Sequence, residues 1–426
     1  MSGQTWPWRA GLSYGALGLP LAFAALPLYV VLPHYYASNL GLPLATVGAL
    51  LLLVRLLDAG ADPLLGRVSD RLYRRNVYVA LSALGVAALF LAAGMVGLFF
   101  PWVRGTSALA VWMTLGLLFT CLAHSLLVIA HQVWGVRLGG DSLQRSRIVA
   151  WREGLGLVGV VTASALAVVW GAGTMLWVFV SALLLSWLAL WLAPRPPFIN
   201  ELEQLREQRR RQLWQPLTQA PLRRLLCVFL CNGIASAIPA ALMLFFAQDR
   251  LLASPAQTAV FLILYFVCAA FSMPFWLRLI ARFGLERAWL MGMLLAVFCF
   301  AWAAGLQGGQ IVAFAVICAL SGAALGADLA VPGALLALLI ERHGAQGAHD
   351  GAYLGWWNLV AKLNLALAAG ATLPLLQWLG YEPGSQDPTA LQRLAWMYAL
   401  LPCVFKLIAA ALLYRLLILP QSSTQE

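Results

Sequence analysis

Asp58 and Asp62 lie one helical turn apart in the stretch LATVGALLLLVRLLDAGADPLLG, which is otherwise apolar enough for a membrane-spanning helix. An ionised carboxylate at bilayer depth costs roughly 2.5–3.5 kcal/mol even on the mildest insertion scales. The i, i+4 spacing stacks both side chains on one face, which must therefore look onto protein or water and not onto lipid tails. Arg55, three residues before Asp58, joins the same stripe. One guanidinium between two carboxylates leaves one negative charge over. A single Na⁺ or H⁺ neutralises it.

Other polar residues interrupt apolar runs. Lys362 sits near the middle of the run 352–378, where an ammonium needs an anion or water; the alternative is a stem that snorkels to an interface. His131 is a candidate to relay a proton or bond a substrate hydroxyl, although a histidine satisfied by helix packing reads equally well, and Gln132 beside it is a candidate substrate contact. Arg152 and Glu153 fall in the first turns of their helix. Trp134, Trp356 and Trp357 could stack on a ring-shaped solute, whereas most of the eighteen tryptophans suit an interfacial belt. Asp328 precedes Pro332 by four residues, so it marks either a gating hinge or a cavity wall.

The elements that must position these residues follow from composition. The chain of 426 residues is 62% hydrophobic and 10% charged, against about 25% charged in soluble domains. Its apolar runs are long enough to cross a hydrocarbon core of about 30 Å, and such continuous runs are helices, not barrel strands. The fold class expected is therefore an all-α membrane protein. Twelve helices are predicted near 11–36, 44–68, 77–100, 107–134, 148–171, 174–194, 222–247, 257–281, 287–307, 310–340, 352–378 and 391–418. The polar segment 195–221 separates an N-terminal six-helix bundle, 1–194, from a C-terminal one, 222–426.

The 27 basic residues, all but two of them arginine, then test the topology. They concentrate after helices 2, 4, 6, 8 and 10: Arg71, Arg74 and Arg75; Arg145 and Arg147; Arg206 and Arg209 to Arg211; Arg282; Arg342. By the positive-inside rule both termini and the central segment are cytoplasmic, in a multi-pass inner-membrane protein. This distribution also removes nucleic acid as a partner. The seven cysteines lie in apolar runs without metal-ligand spacing and read as small core residues. No cleavage site follows the first apolar run, so that helix is expected to be retained. There is no phosphate-cradling loop and no nucleophile at a strained turn. An enzyme is not expected, nor any cofactor or metal beyond a coupling ion.

The string GRVSDRLYRR (66–75) resembles the cytoplasmic signature of the major facilitator superfamily in Gly66, Asp70, Arg71, Arg74 and Arg75; Tyr73 replaces a glycine. In that reading Gly66 lets helices approach closely, and Asp70 latches the cytoplasmic side in one conformational state. The alternative is a basic turn that only sets topology. Residues 14–71, with Arg55, Asp58, Asp62, Pro63 and Gly66 in the pattern R-x-x-D-x-x-x-D-P-x-x-G, resemble the glycoside–pentoside–hexuronide:cation symporters, the melibiose permease family. Further similarity runs through 144–159, 232–284 and 350–370. The resemblance implies two six-helix bundles, a coupling cation at Asp58 and Asp62, Arg152 beside the sugar, and Lys362 with Arg55 in the charge network.

One departure stands out. Melibiose permeases carry a third aspartate on helix 4, where this chain offers Leu127 or Val128. Its absence favours H⁺ over Na⁺, because a proton needs one carboxylate of raised pKa and sodium needs several oxygens. The expected function is alternating-access import of a sugar or glycoside-like solute by symport with H⁺ or Na⁺, by a monomer in contact with membrane lipids. Transport of lysophospholipids, and a transport-inactive sensor or assembly factor, are the alternatives.

Overall fold

Inside hydrocarbon a backbone has no water to bond, so each segment must satisfy its own N–H and C=O groups. The computed structural model describes residues 7–169, 171–197, 214–342, 349–381 and 384–422, and within them twelve long helical segments follow one another, with one short helical turn, Gln215–Thr218, before the seventh. We number them α1 (8–39), α2 (Leu44–Arg75), α3 (Val77–Phe99), α4 (Thr106–Arg137), α5 (Ser142–Val169), α6 (Gly171–Trp191), α7 (Ala220–Arg250), α8 (Pro255–Phe283), α9 (Leu285–Gly305), α10 (Ile311–Arg342), α11 (Asp350–Trp378) and α12 (Pro388–Ile418). Among the described residues eight of these helices are long and apolar enough to cross a membrane.

The helix ends differ from the sequence prediction for an electrostatic reason. Arginines assigned to turns extend the helices instead. Helix α2 continues to Arg75 and ends on Arg74 and Arg75, and α10 ends on Arg342. A cation in the last turn meets the negative end of the helix dipole. Asn76 then caps α3, its side chain accepting from the Tyr78 N–H at 3.1 Å. Gly284, at φ 83°, closes α8 and opens α9 in a conformation that side chains with a Cβ avoid. The irregular α1 widens into π turns at Pro27–Val31 and Tyr35–Asn39; its prolines cannot donate to the helix ladder. Helix α12 does the same at Trp396–Leu400, just before Pro402.

The chain divides into two compact units, Met1–Pro216 with Ile340–Leu359, and Leu217–Leu339 with Val360–Glu426. This division puts the start of α11 in the first unit, which a cut at 195–221 alone does not do. Most of that central segment, 198–213, including Arg206 and Arg209 to Arg211, lies outside the described residues.

Close helix approach holds the first unit together. A Cβ on Gly18 would stand 2.4 Å from the Arg152 carbonyl oxygen, and one on Gly159 only 2.1 Å from that of Leu19. So α1 and α5 cross backbone to backbone, the contact that small residues allow between helices in lipid. In the second unit Gly322 of α10 meets the Tyr265 carbonyl of α8 in the same way, at 2.2 Å. Its core is aromatic, with Phe246 and Tyr398 stacked at 4.1 Å.

Gly159→Val is expected to destabilise the detergent-solubilised protein by about 1–3 kcal/mol, since neither backbone can yield. Gly173→Val, where a side chain would meet nothing within 4 Å, is the matched control. Thermal-shift measurements on both variants check the difference.

Candidate functional site

Helix α2 has two unlike faces. Leu52, Leu53, Leu56, Leu57 and Leu64 are exposed, whereas Val54, Asp58, Asp62, Gly66 and Ser69 are buried. Asp58 is 2% exposed and Asp62 0%. Both carboxylates therefore face protein. The buried face packs on α4, whose Ser125 hydroxyl donates to Asp58 Oδ1 at 2.8 Å. Arg55 is half-buried on the same helix.

Ser125 was not among the residues singled out from sequence. It supplies an oxygen two and three residues before Leu127 and Val128, less than one helical turn from the place of the missing aspartate. Asp58 thus meets a hydroxyl from the facing helix, and Asp62 is buried one turn further along the same face of α2.

Toward its C-terminal end α2 meets the start of α11 within the first unit. A Cβ on Gly66 would come within 1.9 Å of the Gly351 oxygen, so this crossing depends on both glycines. It lets Asp70 accept from the backbone N–H groups of Gly351, at 2.7 Å, and Ala352, at 3.1 Å. These are orphan donors at a helix N-terminus, where a carboxylate is favoured by both hydrogen bonding and dipole. The neighbouring Asp350 pairs with Arg137 of α4 at 2.7 Å, both groups buried. Arg137 in turn lies over the Tyr73 ring at 4.9 Å, and the Tyr73 hydroxyl donates to the Ala130 carbonyl at 2.8 Å. Arg145 binds Glu341 at 2.6 Å. Just before α11, burial and the nearby guanidinium groups of Arg74 and Arg67 push the His349 imidazole below its ordinary range. Arg71 and Arg75 are exposed and Arg74 is half-buried.

The substrate candidates fare differently. His131 is 1% exposed; its Nε2 donates to the Tyr14 carbonyl at 2.8 Å while the Tyr14 hydroxyl donates back to the His131 carbonyl at 3.2 Å. Trp134 is fully buried, its indole N–H on the Pro194 carbonyl at 3.0 Å. Both side chains are buried and bonded to backbone carbonyls of neighbouring elements. Gln132 accepts from Asn358 of α11 at 2.6 Å. Arg152 is held by Glu153, with Nη2 on Oε1 at 2.6 Å. Trp356 packs its ring 5.0 Å from that of Trp214, and Trp357 is buried. Lys362 is half-buried in the part of α11 that belongs to the second unit.

In the second unit α10 breaks at Val331, as Pro332 requires. The Asp328 carboxylate turns to side chains: Lys406 at 2.5 Å, Trp289 at 2.8 Å and Asn232 at 3.2 Å. Lys406 was missed in the sequence, although it is one of only two lysines and interrupts an apolar run.

Twelve helical segments, one helix with paired buried carboxylates, and an aspartate capping a second helix define a multi-pass membrane transporter of the major facilitator fold. Residues 13–419 match the family described as MFS/sugar transport protein, and the chain belongs to it. The glucuronide carrier protein homolog of Escherichia coli (strain K12) is 24% identical over 430 residues, spanning 96% of this chain and 93% of that protein. Two solved structures are similar in fold. A bacterial homologue of the iron transporter ferroportin aligns with a TM-score of 0.69 at 15% identity, over 96% of this chain and 99% of that one. The Escherichia coli fucose:proton symporter aligns with a TM-score of 0.64 at 14% identity, over 94% and 97%. The protein is a transporter of the inner membrane and not an enzyme.

Removing the cap on α11 has a measurable cost. Asp70→Ala is expected to lose about 0.5–2 kcal/mol of stability in detergent, and Asp70→Asn, which keeps one acceptor oxygen, less than that. Denaturation curves of the two variants decide it.

Proposed function

We propose that this transporter carries a sugar or glycoside-like solute by symport with H⁺ or Na⁺, the cation binding at Asp58 and Asp62 with Ser125 as a further ligand or proton partner. One observation carries the reading: two carboxylates are buried on the protein-facing side of α2 while leucines occupy its exposed side. Burying two carboxylates on one helix face is costly, and a visiting cation offsets part of that cost at the moment of loading. Cation binding then favours the state with high affinity for the solute, and by linkage the solute favours the cation. The carrier named for glucuronides and the symporter named for fucose support a sugar-like solute.

The termini and central segment are cytoplasmic in this proposal, from the arginine distribution. Gly66, Asp70 and the arginines after it form a cytoplasmic latch with the start of α11, which opens when the loaded site is released to the cytoplasm. The Asp70 bonds to Gly351 and Ala352 support that role. Arg55, on the same helix face, is the basic neighbour of the carboxylates when no cation is bound, and Arg152 and Gln132 are candidates to contact the solute.

In proteoliposomes with imposed Na⁺ or H⁺ gradients, radiolabelled glucuronides and simpler glycosides are expected to accumulate under one of the two gradients, which identifies the ion. Asp58→Asn and Asp62→Asn should each abolish gradient-driven accumulation and spare exchange, because a neutral amide mimics the loaded carboxyl. Ser125→Ala should weaken the apparent affinity for the cation several-fold, leaving the maximal exchange rate in place. Normal accumulation by both asparagine variants would refute the coupling site.

A further inference from the structure

Helices α7, α8, α9, α10 and α12 line a half-open cavity of about 160 Å³, whose lining residues all belong to the second unit. That volume suits a body the size of a benzene ring, which fits an apolar cavity of about 150 Å³. The wall is mostly apolar and aromatic, with Phe261, Tyr265, Phe300 and Tyr398 contributing rings. Set into it are Asp328 and Lys406, their ion pair bordering the cavity directly.

The two partners are not held equally. Asp328 takes the Asn232 amide and the Trp289 indole N–H on one oxygen and Lys406 on the other. Without Lys406 it keeps two neutral donors. Lys406 has three ammonium protons, and its described hydrogen bonds are the one to Asp328 and a long one, 3.4 Å, to the Ser236 hydroxyl. An anion arriving at Lys406 therefore leaves Asp328 solvated by protein. A cation arriving at Asp328 would instead strand Lys406 with a single weak acceptor, and an uncompensated buried charge is costly. The asymmetry selects an anionic ligand.

We propose that this cavity binds a small organic carboxylate with a ring-sized apolar body, its carboxylate on Lys406 and its ring among the aromatic side chains of the wall. The site is separate from Asp58 and Asp62 and does not depend on cation coupling. Asp328 competes with the ligand for Lys406 and holds the ammonium in place when no ligand is bound.

The test is equilibrium binding to the purified full-length protein in detergent, with no ion gradient, using radiolabelled benzoate and its neutral isostere benzamide. Benzoate is expected to bind saturably and at least about tenfold more tightly than benzamide. Lys406→Met should abolish that preference, and Ser321→Phe, which fills the cavity and leaves both charges, should block benzoate. Asp328→Asn should tighten benzoate binding several-fold by removing the competitor. A purely structural ion pair would instead make Asp328→Asn as damaging as Lys406→Met.

Should Lys406→Met fail to fold, the doubly neutral Lys406→Met/Asp328→Asn variant carries the same expectation of lost preference. No saturable benzoate binding at millimolar concentration, or binding indifferent to both Lys406→Met and Ser321→Phe, overturns the proposal. Asp58→Asn and Asp62→Asn should bind benzoate normally, so failure of the coupling site and failure of this one are distinguishable. Uptake of bound benzoate into proteoliposomes marks a transported solute, and binding without uptake marks a modulator; either accords with the site.

Discussion

A charge inside hydrocarbon must be matched by another charge, by hydrogen bonds or by water, and the arrangement of this chain follows from that constraint. Several buried ionic groups are met from a neighbouring helix. Asp350 has Arg137, Asp328 has Lys406, and Asp70 has the open N-terminus of α11. These contacts bind helix to helix where the hydrophobic effect cannot, since lipid tails are as apolar as leucine. On α2 two buried carboxylates share one helix face, and Asp58 accepts from a serine hydroxyl of α4; the proposed function adds a mobile cation to that pair.

Small residues make the charge contacts possible. Asp70 reaches the backbone of α11 because Gly66 and Gly351 let the two helices touch. The same economy of side chains sets α1 against α5 at Gly18 and Gly159. Glycine at these crossings brings polar backbone within reach of polar side chains. Packing and electrostatics are therefore one problem in this fold.

Much of this was legible in the sequence. Twelve apolar runs, the alternation of arginine-rich ends and the motif around Asp58 led to the fold and to the helix carrying the carboxylates. Helix ends were less legible, because arginines that mark the cytoplasmic boundary prolong the helices that carry them. For His131 the sequence left packing and solute contact equally open, and for Trp134 it gave no sign of the Pro194 carbonyl that its indole meets. Whether a buried histidine meets a solute or the Tyr14 carbonyl depends on how α1 packs on α4, which no local pattern encodes. Ser125 carried no signal above that of any serine in a helix. Lys406 did carry one, as a rare lysine in an apolar run, but its partner Asp328 lies 78 residues away on another helix.

The central claim is that Asp58 and Asp62 together receive one small cation. The most direct measurement is the stoichiometry of ion uptake by purified protein, by ²²Na⁺ dialysis and by proton release or uptake in weak buffer. The account predicts one ion per chain for the native protein and none for the doubly substituted Asp58→Asn/Asp62→Asn variant. Equal uptake by the two proteins would contradict it.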